Sequence, residues 1–308
     1  MDKITIGLPR ALLFYNYYSF FKSFFEQLDC RVIISDESNK IILTNGINKS
    51  IDESCLPLKL FLGHVENLKD KCDYILIPRI ACLKKNEKVC TNFLVLYDLV
   101  NNLFDVDILH YNIDISNHES ESLAFLLIGK QLGFSYIETL KAYKTAKKYE
   151  KNMKKNKILL QNEKLKSEKL KILIAGHSYN LYDKLIGTPI VTYLEKLNCE
   201  VIFSDIYNEK ELDVESETIS KDNYFTFNKK LHGAITHYKR CVDGIILLTS
   251  FPCGPDSLSN EMTIRKVKSV PILSLIIDEQ DGLTGLYTRL ESFIDILSEK
   301  RKVKSYER

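Results

Sequence analysis

The sequence predicts an α/β protein of two Rossmann-like lobes with parallel sheets, joined by a helical segment. Three observations carry this. One segment recurs: FEQLDCRVIISD at residues 25–36 and LEKLNCEVIFSD at residues 194–205 share a helix end, a short turn, a buried strand and a Ser-Asp pair. Short β-branched runs alternate with stretches of helical pattern, as in doubly wound parallel sheets. Each recurring segment also follows a strand and about twenty residues of mixed apolar and aromatic pattern, which suits a crossover helix.

The elements follow in order. Lys3 to Gly7 is a strand that runs into Leu8, Pro9, Arg10 and Ala11, and the repeat supplies the next helix and strand. Pro57 fits the first turn of a helix that begins just after Cys55. Asp73 to Pro78 is the next strand, followed by the segment Arg79 to Cys82. Ser120 to Lys169 is rich in Lys and Glu and helical in pattern. Its tract Lys147 to Lys155 reads as a solvated helix face, because acidic residues are interleaved. The second half repeats the plan: a strand Lys171 to Gly176 before His177, Ser178, Tyr179 and Asn180, a strand Asp243 to Leu248, and a strand Pro271 to Ile277 ending in Asp278 and Glu279. A helix near Arg289 to Leu297 closes it. The expected divisions are residues 1–115, a helical connector 116–168, and residues 169–308.

At 308 residues and 45% hydrophobic content, the chain is long enough for one large domain or two medium ones. With 43 basic and 41 acidic residues its net charge is +2, which leaves no footprint for nucleic acid or an anionic membrane. No apolar run reaches the length of a membrane-spanning helix. The opening MDKITIG goes directly into a strand without a leader pattern, so a cytoplasmic protein is expected.

Eight cysteines in a reducing compartment are not expected to form disulfides. None pairs as Cys-x-x-Cys, so a metal site would be assembled from distant loops. Cys30 and Cys199 hold equivalent repeat positions and read as packing residues, as do Cys72 and Cys241 before their strands. Cys55, Cys82, Cys90 and Cys253 are left. Cys55 precedes a helix start, where backbone N–H groups and the positive dipole end favour a thiolate. Cys253 stands in SFPCGPDS, with Pro252, Gly254 and Pro255 around it, directly after a buried strand. Three readings stay open for these four: unrelated buried thiols, metal ligands, or a single nucleophile with His177 or His64 as its base. His64 by itself reads as a surface or satisfied residue.

Ligands of open α/β sheets bind beyond the carboxyl ends of the strands. The residues there are Arg10, the segment Arg79 to Cys82, His177 to Asn180, Cys253 with Asp256, and Asp278 with Glu279. Neither a Gly-x-Gly-x-x-Gly fingerprint nor a P-loop follows a first strand, so the chain has no ATPase motif of its own.

The opening GLPRALLFYNYYSFFKSFFEQLDCRVIIS resembles the start of the acyl-CoA dehydratase activase-related proteins, relatives of the 2-hydroxyacyl-CoA dehydratase subunits. The likeness continues through ESCLPLKLFLGHVENL (53–68), DYILIPRI (73–80), AGHSYNLYDKLIG (175–187), FTFNKKLHGA (225–234), VDGIILLTSFPCGPDS (242–257) and TRLESFIDIL (288–297). It spans nearly the whole chain outside the helical middle. What it implies is an iron–sulfur protein whose 4Fe–4S cluster is held by three cysteines between two lobes of similar fold. The matching positions are Cys55, Cys90 and Cys253; Thr91 stands where relatives carry proline, and Cys82 is the alternative to Cys90, because the internal repeat places it roughly opposite Cys253. Asp278 and Glu279 match the first two residues of the relatives' Asp-Glu-His-Thr-Gly-Glu, and the residues after them differ. Three thiolates leave one iron open, which in the dehydratase subunits holds a thioester carbonyl.

The resemblance therefore implies an ATP-dependent activase as reducing partner and an acyl-CoA as small molecule. Around the open iron, Arg10, His177, Asn180 and Glu279 are the expected binding groups. Asp256 would either orient the bases or cap its helix. Three functions are carried forward: a dehydratase-type enzyme component, a non-catalytic cluster or electron carrier, and a cluster-free two-lobed binding protein.

Overall fold

The computed structural model describes residues 3–208, 215–221, 223–280 and 282–306. The chain divides into two compact units, Met1–Lys155 with Tyr224–Thr226, and Asn156–Asn223 with Phe227–Arg308. In the first unit the order is β1 (Thr5–Leu8), α1 (Phe14–Gln27), β2 (Arg31–Ile34), α2 (Lys40–Lys49), α3 (Leu56–Leu68), β3 (Tyr74–Cys82), α4 (Thr91–Leu103), β4 (Ile108–Asp114) and α5 (Glu121–Gln131). Helix α6 (Tyr136–Leu165) carries the chain onward. The second unit holds β5 (Leu170–Ala175), α7 (Ser178–Leu181), α8 (Gly187–Lys196), β6 (Cys199–Phe203), α9 (Thr226–Tyr238), β7 (Gly244–Ser250), α10 (Gly254–Lys266), β8 (Ile272–Ile277) and α11 (Leu283–Tyr306).

Each unit carries a four-stranded parallel sheet, ordered β2-β1-β3-β4 in the first and β6-β5-β7-β8 in the second. This is the α/β class of two Rossmann-like lobes with parallel sheets that the repeat predicts.

The repeated segments fold alike for backbone reasons. The turn from α1 into β2 places Asp29 at φ 56°, and the turn from α8 into β6 places Asn198 at φ 59°. Asp and Asn tolerate this left-handed region far better than branched residues, because their short side chains bond locally. Cys30 and Cys199 follow and are buried, with their thiols directed at the carbonyls of Leu28 and Leu197 at 3.7 Å. Burial pushes both thiols up to about 11, with Asp29 adding to the effect on Cys30 and Asp243 on Cys199. Both are packing residues.

A second shared device ties the third strand to the first. Asp73 Oδ2 accepts from the Thr5 N–H at 2.7 Å, and the Asp73 N–H donates to the Thr5 carbonyl at 3.0 Å. Asp243 does the same with Lys171, at 2.8 Å in each direction. The two bonds fix the register of β1 with β3 and of β5 with β7.

Cys72 packs as expected, whereas Cys241 does not. The thiol of Cys72 packs where a Gly7 side chain would be: a Cβ at Gly7 would lie 2.5 Å from its sulfur. Cys241 is exposed. Cys72 directly precedes its clasping aspartate, whereas Cys241 stands two residues before Asp243, and that one-residue slip turns it outward.

β3 runs past the expected end at Pro78 to Cys82, because it pairs with β4 over that whole length. Pro78 is tolerated because β1 pairs with β3 only at Tyr74 and Ile75, so no partner strand waits on the side its missing N–H would face. Helix α11 likewise exceeds the expected Arg289 to Leu297, running Leu283–Tyr306.

Helix α6 divides its packing. Toward its start, Ala142 and Ala146 are buried and Tyr143 donates to Glu121 at 2.9 Å. Lys147, in the tract read as solvated, is drawn in by Glu121 at 2.9 Å and Glu150 at 2.7 Å. Toward its end, Gln161 is buried: its Nε2 donates to the Phe203 and Ile206 carbonyls, and its Oε1 accepts from the Phe203 N–H, all at 2.9 Å. Residues Tyr224–Thr226 belong to the first unit, where the Lys88 N–H donates to the Tyr224 carbonyl at 2.8 Å and the Thr226 N–H to the Lys88 carbonyl at 2.9 Å.

Candidate functional site

Cysteines begin the helices at the carboxyl ends of both sheets. In the first unit Cys55 is the N-cap of α3, at φ −67° and ψ 149°, with Pro57 in the first turn. Cys90 is the N-cap of α4, at φ −57° and ψ 140°. Both thiols are half-buried, and neither side chain caps its own helix. Asn92, in the first turn of α4, donates its amide to the Cys55 sulfur at 3.6 Å, so the starts of α3 and α4 meet. A helix start directs backbone N–H groups toward whatever anion stands there.

Two glycines hold the start of α3 in place. A Cβ on Gly46 of α2 would lie 1.7 Å from the Lys59 carbonyl, and one on Gly63 of α3 would lie 1.9 Å from the Ile42 carbonyl. The two helices therefore touch backbone to backbone, a packing that only glycine permits. Behind them His64 is fully buried, with Nδ1 at 2.9 Å from Ser35 Oγ and Nε2 at 3.0 Å from Ser38 Oγ. Burial, with Arg10 adding, pushes this imidazole down to about 3, so it is a neutral structural group.

In the second unit Cys253 is the N-cap of α10, at φ −111° and ψ 102°, and is half-buried. It follows β7 by three residues, and the Phe251–Pro252 peptide is cis. Asp256, in the first turn of α10, is 3% exposed. Its Oδ1 lies 2.8 Å from His177 Nε2 and accepts from Asn228 Nδ2 at 2.9 Å. Burial raises the Asp256 carboxyl. The charge of His177 and hydrogen bonds from His177, Asn228 and Cys253 outweigh that, so the net direction is below the ordinary carboxylate range. The His177 ring stacks on Tyr179 at 5.1 Å and meets the edge of Phe227 at 5.9 Å. Asn180 is buried, and its Oδ1 accepts from Ser250 Oγ at 2.8 Å, joining α7 to the end of β7. Asp205, half-buried, is raised by burial against the hydrogen bonds it receives from Tyr182 and Ser178.

The remaining candidates sit as follows. Arg10 lies just beyond β1, its N–H donating to Ser35 Oγ at 2.8 Å and its guanidinium 3.5 Å from Glu37. Its Nε is buried without a hydrogen-bond partner among the described residues. Glu279 lies just beyond β8, its N–H donating to Asp278 Oδ1 at 2.7 Å. Cys82 is buried at the end of β3, donating to the Lys84 carbonyl at 3.0 Å and accepting from Ser116 Oγ at 3.2 Å. The positional counterpart of Cys253 is Cys90 and not Cys82: each begins the helix after its sheet's third strand. Cys55, Cys82, Cys90 and Arg10 belong to the first unit, and Cys253, His177, Asn180, Asp256 and Glu279 to the second. Among the described residues, no group of three or more His, Cys, Asp or Glu side chains is placed to hold a metal ion.

Asn92 and Asn228 were not visible as partners in the sequence. Asn228 lies in the quoted run FTFNKKLHGA, but only the fold sets it against a carboxylate 28 residues later. Asn92 stands beside Cys90 in sequence, while the sulfur it reaches is 37 residues away.

Solved structures align over most of the chain at low similarity. The SBP FpvC from P. aeruginosa in complex with Ni2+ has 10% identity over 89% of this chain and 87% of that chain, with a TM-score of 0.29. The AdcAII protein of Streptococcus pneumoniae has 13% identity over 97% and 100%, with a TM-score of 0.28. The laminin-binding protein Lbp of Streptococcus pyogenes has 12% identity over 96% and 100%, with a TM-score of 0.27. Likenesses at this level carry no argument. No curated protein matches the sequence. Among the described residues, no helix is long and apolar enough to cross a membrane. Residues 5–238, well over half of the chain, match the family model described as the CoA enzyme activase uncharacterised domain, and the chain belongs to that family.

Proposed function

We propose that this chain is an iron–sulfur protein of the 2-hydroxyacyl-CoA dehydratase type, with Cys55, Cys90 and Cys253 as ligands of a 4Fe–4S cluster. An ATP-dependent activase would be its reducing partner. The observation that carries the reading is the shared placement of these cysteines: each is a half-buried thiol at the N-cap of a helix beyond a sheet's carboxyl edge. Thiolates are the donors such clusters take. The amide that Asn92 directs at the Cys55 sulfur is a hydrogen bond to a donor atom of the kind that orients and tunes such ligands. The donor chemistry fits the group, and membership of an activase-related family fits the partner.

When bound, the cluster would supply one-electron chemistry, with one metal corner left for a ligand other than thiolate. The protein's own groups bind and orient. Arg10 brings a permanent cation suited to an anionic or carbonyl group of an acyl-CoA. His177 brings a ring held by Asp256, and Glu279 stands at the next strand end. Asn180 braces α7, the short helix that His177 begins.

Anaerobic purification with iron and sulfide analysis and EPR of the reduced protein tests this. A brown protein with a cubane signal that responds to an acyl-CoA thioester is the expected result. Stoichiometric iron with a signal indifferent to thioesters would make it an electron carrier, and a colourless protein that refuses anaerobic reconstitution would end the iron–sulfur reading.

A further inference from the structure

Asp256 does more than its helix position requires. A carboxylate in the first turn is satisfied by the N–H groups and dipole there. Here two side chains converge on it from two segments: His177 Nε2, just beyond β5, at 2.8 Å, and Asn228 Nδ2, from α9, at 2.9 Å. An ionised carboxylate only accepts, so the ring nitrogen facing it carries the hydrogen. In the neutral ring the lone pair is then on Nδ1. That nitrogen makes no hydrogen bond among the described residues. Tyr179 and Phe227 pack against the ring and restrict its rotation. Asn228, 4% exposed, fixes the carboxylate from behind.

We propose that Asp256 is a positioning residue: anchored by Asn228, it locks His177 in the Nε2–H tautomer and so presents Nδ1 as a hydrogen-bond acceptor for an O–H or N–H group of a small ligand. This deepens the assignment of His177 to ligand binding made above and stands apart from the iron assignment.

The test is ring-nitrogen NMR on the full chain, metal-free and 15N-labelled, at a pH where the ring is neutral. The His177 signals are assigned by their disappearance in His177→Gln. The wild type should show two well-separated ring nitrogens in the pattern of the Nε2–H tautomer. In Asp256→Ala and Asp256→Ser the separation should collapse as both tautomers become populated. A carboxylate that only caps α10 would leave the His177 pattern unchanged in Asp256→Ser, which keeps a polar first-turn residue but cannot reach the ring. That result, or a wild type in the Nδ1–H tautomer, overturns the proposal. Should both Asp256 variants fail to fold, Asn228→Ala decides: a partial collapse supports the anchor, and an unchanged pattern overturns it. Iron analysis after reconstitution of the same wild-type protein reports the cluster reading separately, so either can fail alone.

Discussion

The two halves share a sheet order and differ in what fills them. The first unit packs aromatic rings: Phe125 lies 4.7 Å from Phe20, 5.0 Å from Phe24 and 5.2 Å from Tyr111, measured between ring centres. The second buries an aliphatic cluster of Leu173, Ile202, Ile235, Ile245 and Leu247, with Tyr238 at its margin. What both keep is directed at the backbone: a left-handed Asp or Asn before the second strand, a cysteine packed behind it, and an aspartate clasping first strand to third. Apolar volume can be exchanged between aromatic and aliphatic residues as long as a layer is filled, whereas a turn or a register has few solutions. The halves differ again at their helix starts. One offers two thiols and a neutral amide; the other offers one thiol beside a carboxylate and an imidazole.

Substituting thiols should have the largest effect on that comparison. Cys90→Ser and Cys253→Ser, at matching positions, should each lower reconstituted iron to background. Cys30→Ala and Cys199→Ala, equally matched, should leave it unchanged. Iron analysis of the four purified proteins checks this, and iron loss from a folded Cys199→Ala variant breaks the division between ligand and packing cysteines.

Next in size is the glycine contact between α2 and α3 in the first unit. Gly46→Ala would press a methyl into the Lys59 carbonyl, 1.7 Å from its Cβ, and should destabilise the fold by about 3 kcal/mol. A urea midpoint equal to the wild type would mean that α2 and α3 separate easily and that their contact does not hold Cys55.

The pH response should be shared by both halves. His64 lies near 3 in the folded protein, and His232, buried against Ser259, is also lowered by burial. Each binds a proton more readily unfolded than folded, so stability is full above about pH 6.5 and falls as the pH drops through the lowered values, which for His64 is about 3. His64→Gln, if it folds, should flatten the part of that slope that belongs to the first unit. Denaturant titrations between those pH values read the slope, and an equal slope in wild type and variant would remove His64 as its source.

The smallest effect should come from the clasps. Asp73→Ala and Asp243→Ala each lose a side-chain bond to a strand N–H, worth about 1 kcal/mol and less at the exposed Asp73. Hydrogen bonds from Thr5 hold the Asp73 carboxyl below its ordinary value, so its contribution is present above about pH 4 and fades as the pH falls through the lowered value. Thermal unfolding of the two variants should give similar shifts, and a large difference would mean that the clasp matters in one half alone.

Much of this was legible in the sequence because the repeat is local. The pairs Leu28-Asp29-Cys30 and Leu197-Asn198-Cys199 announce a turn and a buried strand through chemistry that acts within three residues. The length of β3 was not legible, since it depends on β4, a strand more than twenty residues later. The match of Cys90 with Cys253 was hidden by loop length: the starts of β3 and α4 are 17 residues apart (74 to 91), while those of β7 and α10 are 10 apart (244 to 254). That longer connection slid Cys82 opposite Cys253 in the linear repeat. Asn228 and Asn92 needed the fold itself, because nothing near them in sequence shows the group they face.

The tripeptide Tyr224–Thr226 has a consequence for how the protein is made. Its backbone bonds to Lys88, two residues before Cys90, within the first unit. A ribosome releases it only after α6, β5, α8 and β6 have already emerged. Domains ordinarily fold in the order of their synthesis. Here the bridge at Lys88, two residues before Cys90, stays unformed in every nascent chain until translation has passed residue 226, so the amino-terminal half reaches its final form only after much of the carboxyl-terminal half has been translated.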